Sequence, residues 1–319
     1  MPENPDLLTL LSVSLAAILP TFVWILAGLL IRQGLPFTEP LFRRGDRLTF
    51  YVGMPLVLFF SASKLDFHHL SGSTYLIAGT IAILLMVVGS YCYAGWRGFS
   101  RGHRGLVAQA AYRANLSIIG LSLCSTAFGE RGLVAAAMPI AAWTFLFNLI
   151  AVVLLNYTHG KSSSPPAVIR SICTNPLILS ILAGVMLALS GWQWPPVMAR
   201  APEMVAKIVI PFALMCLGAA ISLRSMREAG AELMESTVLR LCVSPLLAVA
   251  ICLLMGTSGL ELGVTFLLLG GPAAMACHVM VASVGGNARL AANSVVITTL
   301  LAPISLTAGL FLLRALGLI

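Results

Sequence analysis

The sequence predicts an all-α polytopic membrane protein of ten transmembrane helices, arranged as two inverted five-helix repeats with helices 4 and 9 broken. Three observations predict this fold class. Of the 319 residues, 59% are hydrophobic and only 9% are charged, far below the charge of a soluble domain. The apolar residues form long runs, and the chain matches itself when it is shifted by 156 residues. This composition excludes a soluble enzyme, a disordered chain and a disulfide scaffold.

The ten spans follow from the length that a helix needs to cross a bilayer, about 20 apolar residues. The first apolar run is too long for a signal peptide and no Lys or Arg precedes it, so we expect a retained helix. Spans two and seven are short, and spans four and nine contain breakers or polar residues. The predicted spans are 7–31, 47–63, 74–95, 106–127, 132–156, 170–190, 203–223, 237–256, 260–284 and 290–314.

The positions of Lys and Arg predict the orientation of these spans. If the N-terminus lies outside, fourteen of the 19 Lys and Arg fall at inner ends or loops, and five fall outside. Cytoplasmic loops carry the excess of Lys and Arg, so we expect both termini on the non-cytoplasmic side of the cell membrane. The formal net charge of +8 reflects arginines at membrane edges, and we expect no nucleic-acid partner.

The internal match indicates a duplicated unit. Prolines and glycines that coincide in one register are more specific than Leu or Ala matches in so apolar a chain. The repeats would be residues 1–156 and 157–319. Because five spans is an odd number, the second copy would enter the membrane from the opposite side, as is typical of secondary transporters. The paired residues include Pro20 with Pro176, Gly28 with Gly184, Pro55 with Pro211 and Gly129 with Gly285.

Spans four and nine carry their unusual residues at equivalent repeat positions. Asn115, Ser117 and Gly120 stand in span four, and Gly271 and Pro272 stand in span nine. Helices broken within a bilayer survive only where they line a cavity or are buried in protein, and half-helix ends can receive an anion or a cation. We therefore predict a substrate site at these residues, and a simple packing kink is the alternative.

Two further residues complete the predicted site. Arg113 precedes Asn115 by two residues, and it could neutralise a carboxylate substrate or extend to the cytoplasmic interface. His278 stands six residues after Pro272, and it could titrate or contact the substrate. A hydrogen-bonded interior histidine is the alternative for His278.

The 11 Asp and Glu lie in loops or at span ends. The chain has no buried carboxylate pair for acid–base catalysis, and neither a zinc-protease motif, a phosphate-binding loop nor a metal-spaced Cys/His cluster. We therefore expect a protein that is not an enzyme and holds no cofactor or metal. Coupling to sodium or to protons stays open, and a coupled proton would need His278 or the substrate to carry it.

Several stretches resemble the auxin efflux carrier family of membrane transporters. The DRLTFYVGMPLVLFF stretch is similar to a family pattern in the second helix, and NPLILSILAGVMLAL and IPFALMCLGAAISL resemble the sixth and seventh helices. FGERGLVAAA and VGGNARLAANSVVITTLL resemble the segments that follow the two crossing helices. These stretches occupy residues 46–60, 175–189, 210–223, 128–137 and 284–301.

The resemblance implies a fold shared with the bile acid:sodium symporters, in which helices 4 and 9 are broken and crossing at the substrate site. Spans 1, 2, 6 and 7 would form a scaffold, and the others would move as an elevator-like transport domain. Bacterial members are associated with organic anions such as malonate and malate, and plant members with auxin. This chain departs from the family pattern in both crossing helices. Ser117 and Ser122 replace Gly and Pro of helix four, and Ala273 and Ala276 replace Thr and Asn of helix nine.

We therefore predict a secondary active transporter that moves a small organic anion, such as a mono- or dicarboxylate, across the cytoplasmic membrane by elevator-like alternating access. A sodium-coupled bile-acid-type symporter and a non-transporting membrane sensor are the alternatives. The expected partners are the substrate anion and the lipid bilayer. A homodimer stays open.

Overall fold

The computed structural model describes residues 7–35, 39–63, 74–159, 174, 176–191, 194–195, 200–220, 230–274 and 276–319. Helices account for most of these residues, and each predicted span overlaps at least one of them. The helices are α1 Leu7–Gly34, α2 Glu39–Leu48, α3 Met54–Ala62, α4 Thr74–Trp96, α5 Arg101–Tyr112, α6 Leu121–His159, α7 Pro176–Leu189, α8 Ala201–Ala220, α9 Ala231–Val238, α10 Ser244–Leu254, α11 Gly259–Gly270, α12 Ala276–Ser283 and α13 Ala288–Ala315. Turns of π-helix at Thr49–Gly53, Leu116–Gly120 and Leu239–Val243 precede α3, α6 and α10.

The long helices agree with a polytopic membrane protein. Within the described ranges, five helical segments are long and apolar enough to cross a bilayer, and α3, α7, α8 and α11 contain shorter apolar stretches. The count of ten spans, their orientation and the inverted repeat stay predictions. The five longer segments are Leu11–Gly34, Thr74–Trp96, Leu116–His159, Ala231–Leu254 and Ala288–Ala315.

A glycine interrupts α6 between predicted spans four and five. Gly129 has φ 61° and ψ −142°, which lies in the left-handed half of backbone space that glycine enters at no steric cost. Gly285, in the turn between α12 and α13, also has a positive φ of 81°. Each glycine therefore allows one crossing span to end and the next helix to begin in a new direction.

Glycines also let helices of the core approach one another closely. A Cβ atom at Gly28 of α1 would overlap the Met215 carbonyl of α8, and one at Gly218 would overlap the Ile25 carbonyl. Small residues at such contacts are typical of membrane helices, where association depends on close packing. The α1–α8 contact therefore depends on glycine on both sides.

Two short helices run through the interior. Every residue of α5 from Gly105 to Tyr112 is buried, as is every residue of α11 from Leu262 to Gly270. Helices that are buried on all sides have no lipid-facing stripe, so both need protein around them. Their C-terminal ends lead into the residues predicted to form the substrate site.

Candidate functional site

Both predicted crossing spans are interrupted in the structure. The helix α5 ends at Tyr112, and the backbone then extends through Arg113 (φ −86°, ψ 92°) to Asn115 (φ −81°, ψ 78°) before the π turn begins. The helix α11 ends at Gly270, and Gly271 is extended with ψ 164°. Proline disfavours the helical region for the residue before it and supplies no N–H of its own. The predicted interruption of both spans is confirmed.

The two interruptions contact each other through their backbones. The Asn115 N–H donates to the Pro272 carbonyl at 2.8 Å, and the Ala274 N–H donates to the Arg113 carbonyl at 3.0 Å. These bonds form an antiparallel β-bridge centred on Ala114 and Ala273, which we call the bridge. Backbone groups released from each helix are thus satisfied inside the protein, as a dry environment requires.

Most of the predicted site residues lie in or next to the bridge. Asn115 is buried, and its Oδ1 accepts from the Ile118 N–H at 3.3 Å, which caps the π turn. Gly271 and Pro272 are buried on the opposite strand. The Ser117 side chain is half-buried, and its hydroxyl has no hydrogen-bond partner within the described part of the chain.

Gly120 joins the bridge to the neighbouring helix. A Cβ atom at this position would lie 2.9 Å from Leu268 Cδ2 and 3.3 Å from the Asn115 carbonyl oxygen. The absence of a side chain at Gly120 therefore lets the π turn lie directly against α11. Gly120 thus shapes the site through packing.

Arg113 is buried, with 5% of its surface exposed. Its Nη1 donates to the Phe147 carbonyl at 2.9 Å and its Nη2 donates to Asn148 Oδ1 at 2.7 Å, both on α6. These contacts hold the guanidinium inside the protein and disagree with the alternative in which Arg113 extends to the cytoplasmic interface. Asn148 belongs to this site and was not among the sequence-predicted residues.

His278 is the one predicted residue that the structure does not bring to the bridge. It lies in the first turn of α12, its side chain is exposed, and its Nδ1 is 2.9 Å from the Ala288 carbonyl oxygen at the start of α13. This contact spans the turn at Gly285 and leaves the ring away from the interior. A substrate contact by His278 stays a prediction.

A second arginine, Arg240, reaches the site from the π turn between α9 and α10. Its side chain is fully buried, and its Nη1 donates to the Ala111 and Tyr112 carbonyls at 2.9 and 3.0 Å. Its Nη2 contacts the Leu269 carbonyl, which also accepts from the Ser244 hydroxyl at 3.2 Å. One guanidinium therefore binds the last carbonyls of both α5 and α11.

The sequence reasoning missed Arg240 as a site residue. Arg240 stands inside the predicted span 237–256, close to its start. An arginine within an apolar span is costly to bury and is a functional hypothesis by default. That position was the signal available in the sequence.

The site is electrostatically positive. Neither Arg113 nor Arg240 contacts a carboxylate within the described part of the chain. The helix ends that bind Arg240 carry the negative end of the helix dipole, whereas the helices that start after the bridge begin with the positive end. The described residues also contain no group of three or more His, Cys, Asp or Glu that could hold a metal ion. The arrangement suits an anion.

A cavity of about 440 Å³ lies beside the first turns of α6, between that helix and α1, α3 and α8. At its wall, the Ser122 and Thr21 hydroxyls are 2.9 Å apart and both residues are buried. Ser122 follows Gly120 by two residues, so the cavity approaches the bridge along α6. Its polar lining residues are Thr21, Ser122, Ser125, Thr126, Glu130 and Lys207.

Comparison with known proteins identifies the family. A family model described as "Membrane transport protein" matches residues 13–309. A protein named "Uncharacterized transporter" from Methanothermobacter thermautotrophicus is 26% identical over 268 residues, which cover 82% of this chain and 85% of the relative. A protein named "Putative malonate transporter" from Rhizobium meliloti is 24% identical over 281 residues, which cover 83% of this chain and 85% of the relative.

The family match extends over almost the whole chain and includes both interrupted spans. The matched relatives carry the transporter description, and the long apolar helices provide the membrane-spanning segments that such a description requires. The chain belongs to this membrane transport protein family, the auxin efflux carrier family that its helix motifs resemble.

Proposed function

We propose that this protein is a secondary active transporter that moves a small organic anion, a mono- or dicarboxylate, across the cytoplasmic membrane. The observation that carries the proposal is the bridge, where two interrupted helices meet beside the buried guanidinium groups of Arg113 and Arg240. A substrate bound at this point would lie where the protein is tightly packed, and access to it would have to alternate between the two sides.

The charge of the site favours an anion over a cation or a neutral solute. A buried charge is costly unless an opposite charge or hydrogen bonds compensate it. Arg113 and Arg240 bind neutral groups, namely backbone carbonyls and the Asn148 amide. A carboxylate would supply the missing negative charge, and the N–H groups at the start of α12 and of the Leu116–Gly120 turn would add to its binding.

Arg113 is the residue that we assign to the substrate carboxylate. Its two η nitrogens bind single neutral acceptors on α6, and its buried Nε has no hydrogen-bond partner among the residues that the structure describes. A guanidinium can bind a carboxylate in a bidentate manner with two parallel N–H bonds. Asn115 and the Ser117 hydroxyl, on the same segment, would complete the polar contacts.

The malonate in the name of the Rhizobium meliloti protein motivates the dicarboxylate class, at 24% identity. A dicarboxylate carries two negative charges at neutral pH, which matches the number of buried guanidinium groups near the bridge. Arg240 already binds three carbonyls, so we assign direct contact to Arg113 and a longer-range attraction to Arg240. A monocarboxylate would need Arg113 alone.

Alternating access by inverted repeats is the proposed mechanism, and two helix contacts support it. In the first, Gly28 of α1 lies against the Met215 carbonyl of α8; in the second, Gly184 of α7 lies against the Phe59 carbonyl of α3. Adding 156 to Gly28 gives Gly184, and subtracting 156 from Met215 gives Phe59. A two-fold exchange of the halves requires such reciprocal contacts.

We assign α1, α3, α7 and α8 to a stationary scaffold and the helices that form the bridge to the moving part. The cavity supports this division, because it separates α1, α3 and α8 from the first turns of α6. A hydrogen bond between Thr21 of α1 and Ser122 of α6 is among the contacts that would break when the two parts slide.

Counterflow in proteoliposomes tests the proposal. The purified protein is reconstituted, loaded with unlabelled malonate, malate, succinate or lactate, and mixed with trace radiolabelled substrate, with and without sodium and a pH gradient. We expect transient accumulation of label for at least one carboxylate, and none for an uncharged analogue such as glycerol.

Other results would identify the alternatives. Carboxylate binding without counterflow would favour the membrane sensor, and flux that collapses without sodium would favour the sodium-coupled symporter. Loss of flux in Arg113→Gln, with Arg101→Gln as the exposed arginine control, would connect the activity to the bridge. A lack of both binding and flux for every carboxylate would refute the proposed function.

A further inference from the structure

We infer that Arg240 is a built-in cation that occupies the position of a coupling sodium ion, so that this carrier moves its anion independently of sodium. The inference rests on the proposed function and specifies its coupling. It starts from the C-terminal ends of α5 and α11, which we call the two first-half ends. Each of these ends lies directly before one strand of the bridge.

Carbonyl oxygens at such ends are cation ligands by their chemistry. The last carbonyls of a helix have no intrahelical partner and carry the negative end of its dipole. In transporters with discontinuous helices, these ends and the unwound carbonyls beside them coordinate sodium. A sodium-coupled relative of this fold would therefore be expected to bind its ion at the two first-half ends.

In this chain the same carbonyls bind a side chain. The Arg240 guanidinium donates to the Ala111 and Tyr112 carbonyls of α5, at 2.9 and 3.0 Å, and contacts the Leu269 carbonyl of α11. The Ser244 hydroxyl donates to the Leu269 carbonyl as well. These oxygens are thus committed to N–H and O–H donors, and a sodium ion there would lie against a fixed positive charge.

The surroundings supply no compensation for a second cation. Arg113 places another buried guanidinium on the residue that follows Tyr112. Neither arginine contacts a carboxylate in the part of the chain that the structure describes. Sodium bound beside two unneutralised guanidinium groups would be repelled by both. The residues at the two first-half ends therefore do not fit sodium.

The position of Arg240 also explains how the protein can hold a permanent charge there. Nη1 bonds to α5 and Nη2 contacts α11, so a single side chain from the Leu239–Val243 turn ties both first-half ends together. An ion that arrived and left in each cycle would have to assemble these ends each time. A covalently attached cation keeps them assembled while the substrate binds and leaves.

The first experiment compares wild-type counterflow in matched sodium, potassium and choline buffers, using the carboxylate from the malonate, malate, succinate and lactate panel that gives the largest flux. We expect the same half-saturation and the same maximal rate in all three. A coupled ion would instead shift the apparent affinity by roughly 5- to 150-fold. Sodium-dependent flux would overturn the inference and leave the transporter function standing.

The second experiment removes the built-in cation. We expect Arg240→Ala to lose flux and to regain part of it with millimolar guanidinium, while Arg240→Lys retains more flux than Arg240→Ala. The matched control is Arg314→Ala, a half-buried arginine in the last turn of α13 that donates to the Ser14 hydroxyl. We expect the control to keep its flux and to be insensitive to guanidinium.

Thermal unfolding of the purified protein in detergent adds a readout that does not need transport. We expect millimolar guanidinium chloride to raise the melting temperature of Arg240→Ala relative to sodium chloride at equal ionic strength, and to leave wild type and Arg314→Ala unchanged. An Arg240→Ala protein that melts and transports like wild type, or that guanidinium neither stabilises nor reactivates, would refute the role of Arg240. A failure of every carboxylate in wild type would instead refute the proposed function.

Discussion

The α1–α8 contact and the bridge both bring two backbones together inside the protein, but they do so by opposite means. At the α1–α8 contact, Gly28 and Gly218 carry no side chain, and both helices continue without interruption. At the bridge, both helices open, and their free backbone groups bond to each other and to Arg240. The first contact adds only packing, whereas the second places charge in the interior. The α1–α8 contact therefore fixes the shape of the molecule, and the bridge is the part to which we assign substrate binding.

The largest effect is expected where packing alone decides. Gly28→Leu would place a side chain against the Met215 carbonyl, a backbone atom that cannot rotate away. We expect a loss of stability at or above the roughly 3 kcal/mol at the upper end of overpacking substitutions, measured as a lower melting temperature and loss of the monodisperse peak in detergent.

Gly89→Leu is the matched control for this substitution. Gly89 lies in α4 and is exposed, and a Cβ atom there would meet nothing within 4 Å. We expect this variant to fold and transport like wild type. A Gly28→Leu protein that also folded and transported like wild type would show that the α1–α8 contact tolerates a side chain, and its dependence on glycine would be refuted.

At the bridge we expect function to fail before folding does. Asn115→Leu removes the Oδ1 that accepts from the Ile118 N–H, on a residue whose own N–H forms one of the two backbone bonds of the bridge. The cap is worth about 1 kcal/mol, which the fold can lose, but the substrate would lose a polar contact and meet an apolar side chain. We expect counterflow to be abolished with the melting temperature nearly unchanged.

Asn156→Leu, a half-buried asparagine of α6, provides the control for asparagine loss within a helix. Its flux should remain. If Asn115→Leu retained full flux at wild-type expression, Asn115 would not be a substrate residue, and the polar character of the bridge would serve only the backbone.

We expect an effect of intermediate size when the positive charge of Arg113 is removed. Arg113→Gln keeps a donor near Phe147 and Asn148 but removes the positive charge. A hydrogen bond to a charged group is worth about 1.5–3 kcal/mol, so we expect the half-saturation concentration for a carboxylate to rise by roughly 10- to 150-fold. The measurement is the concentration dependence of counterflow, and an unchanged value would remove Arg113 from the site.

The interruptions could be predicted because their cause is local. Pro272 lacks an N–H and disfavours a helical conformation at Gly271, and this effect does not depend on the rest of the fold. The repeat, which stays a prediction, places Asn115 and Gly271 at equivalent positions, and the family resemblance implies that the two interruptions meet. The antiparallel β-bridge between their backbones had no signal of its own in the sequence.

The partners of the arginines could not be predicted in the same way. Arg240 bonds to carbonyls 128 and 129 residues away, and every residue has a carbonyl, so no residue type marks the acceptors. His278 shows a second limit. The helical repeat does not continue across an interruption, so the separation of six residues from Pro272 does not determine which way the His278 ring faces. In the structure its Nδ1 lies 2.9 Å from the Ala288 carbonyl oxygen.

The mildest substitution that we predict is at Gly271, where the bridge does not depend on the absence of a side chain. Gly271 has φ −60°, which any residue adopts, and a Cβ atom there would lie no closer than 3.5 Å to the Leu267 carbonyl oxygen. At Gly120 the same atom would lie 2.9 Å from Leu268 Cδ2. We therefore expect Gly271→Ala to change the melting temperature and the counterflow rate little, and Gly120→Ala to lower both, since the fully buried Leu268 side chain or the π turn would have to move. A Gly271→Ala protein that loses flux while keeping its stability would contradict this expectation. It would mean that the substrate itself approaches the Gly271 backbone.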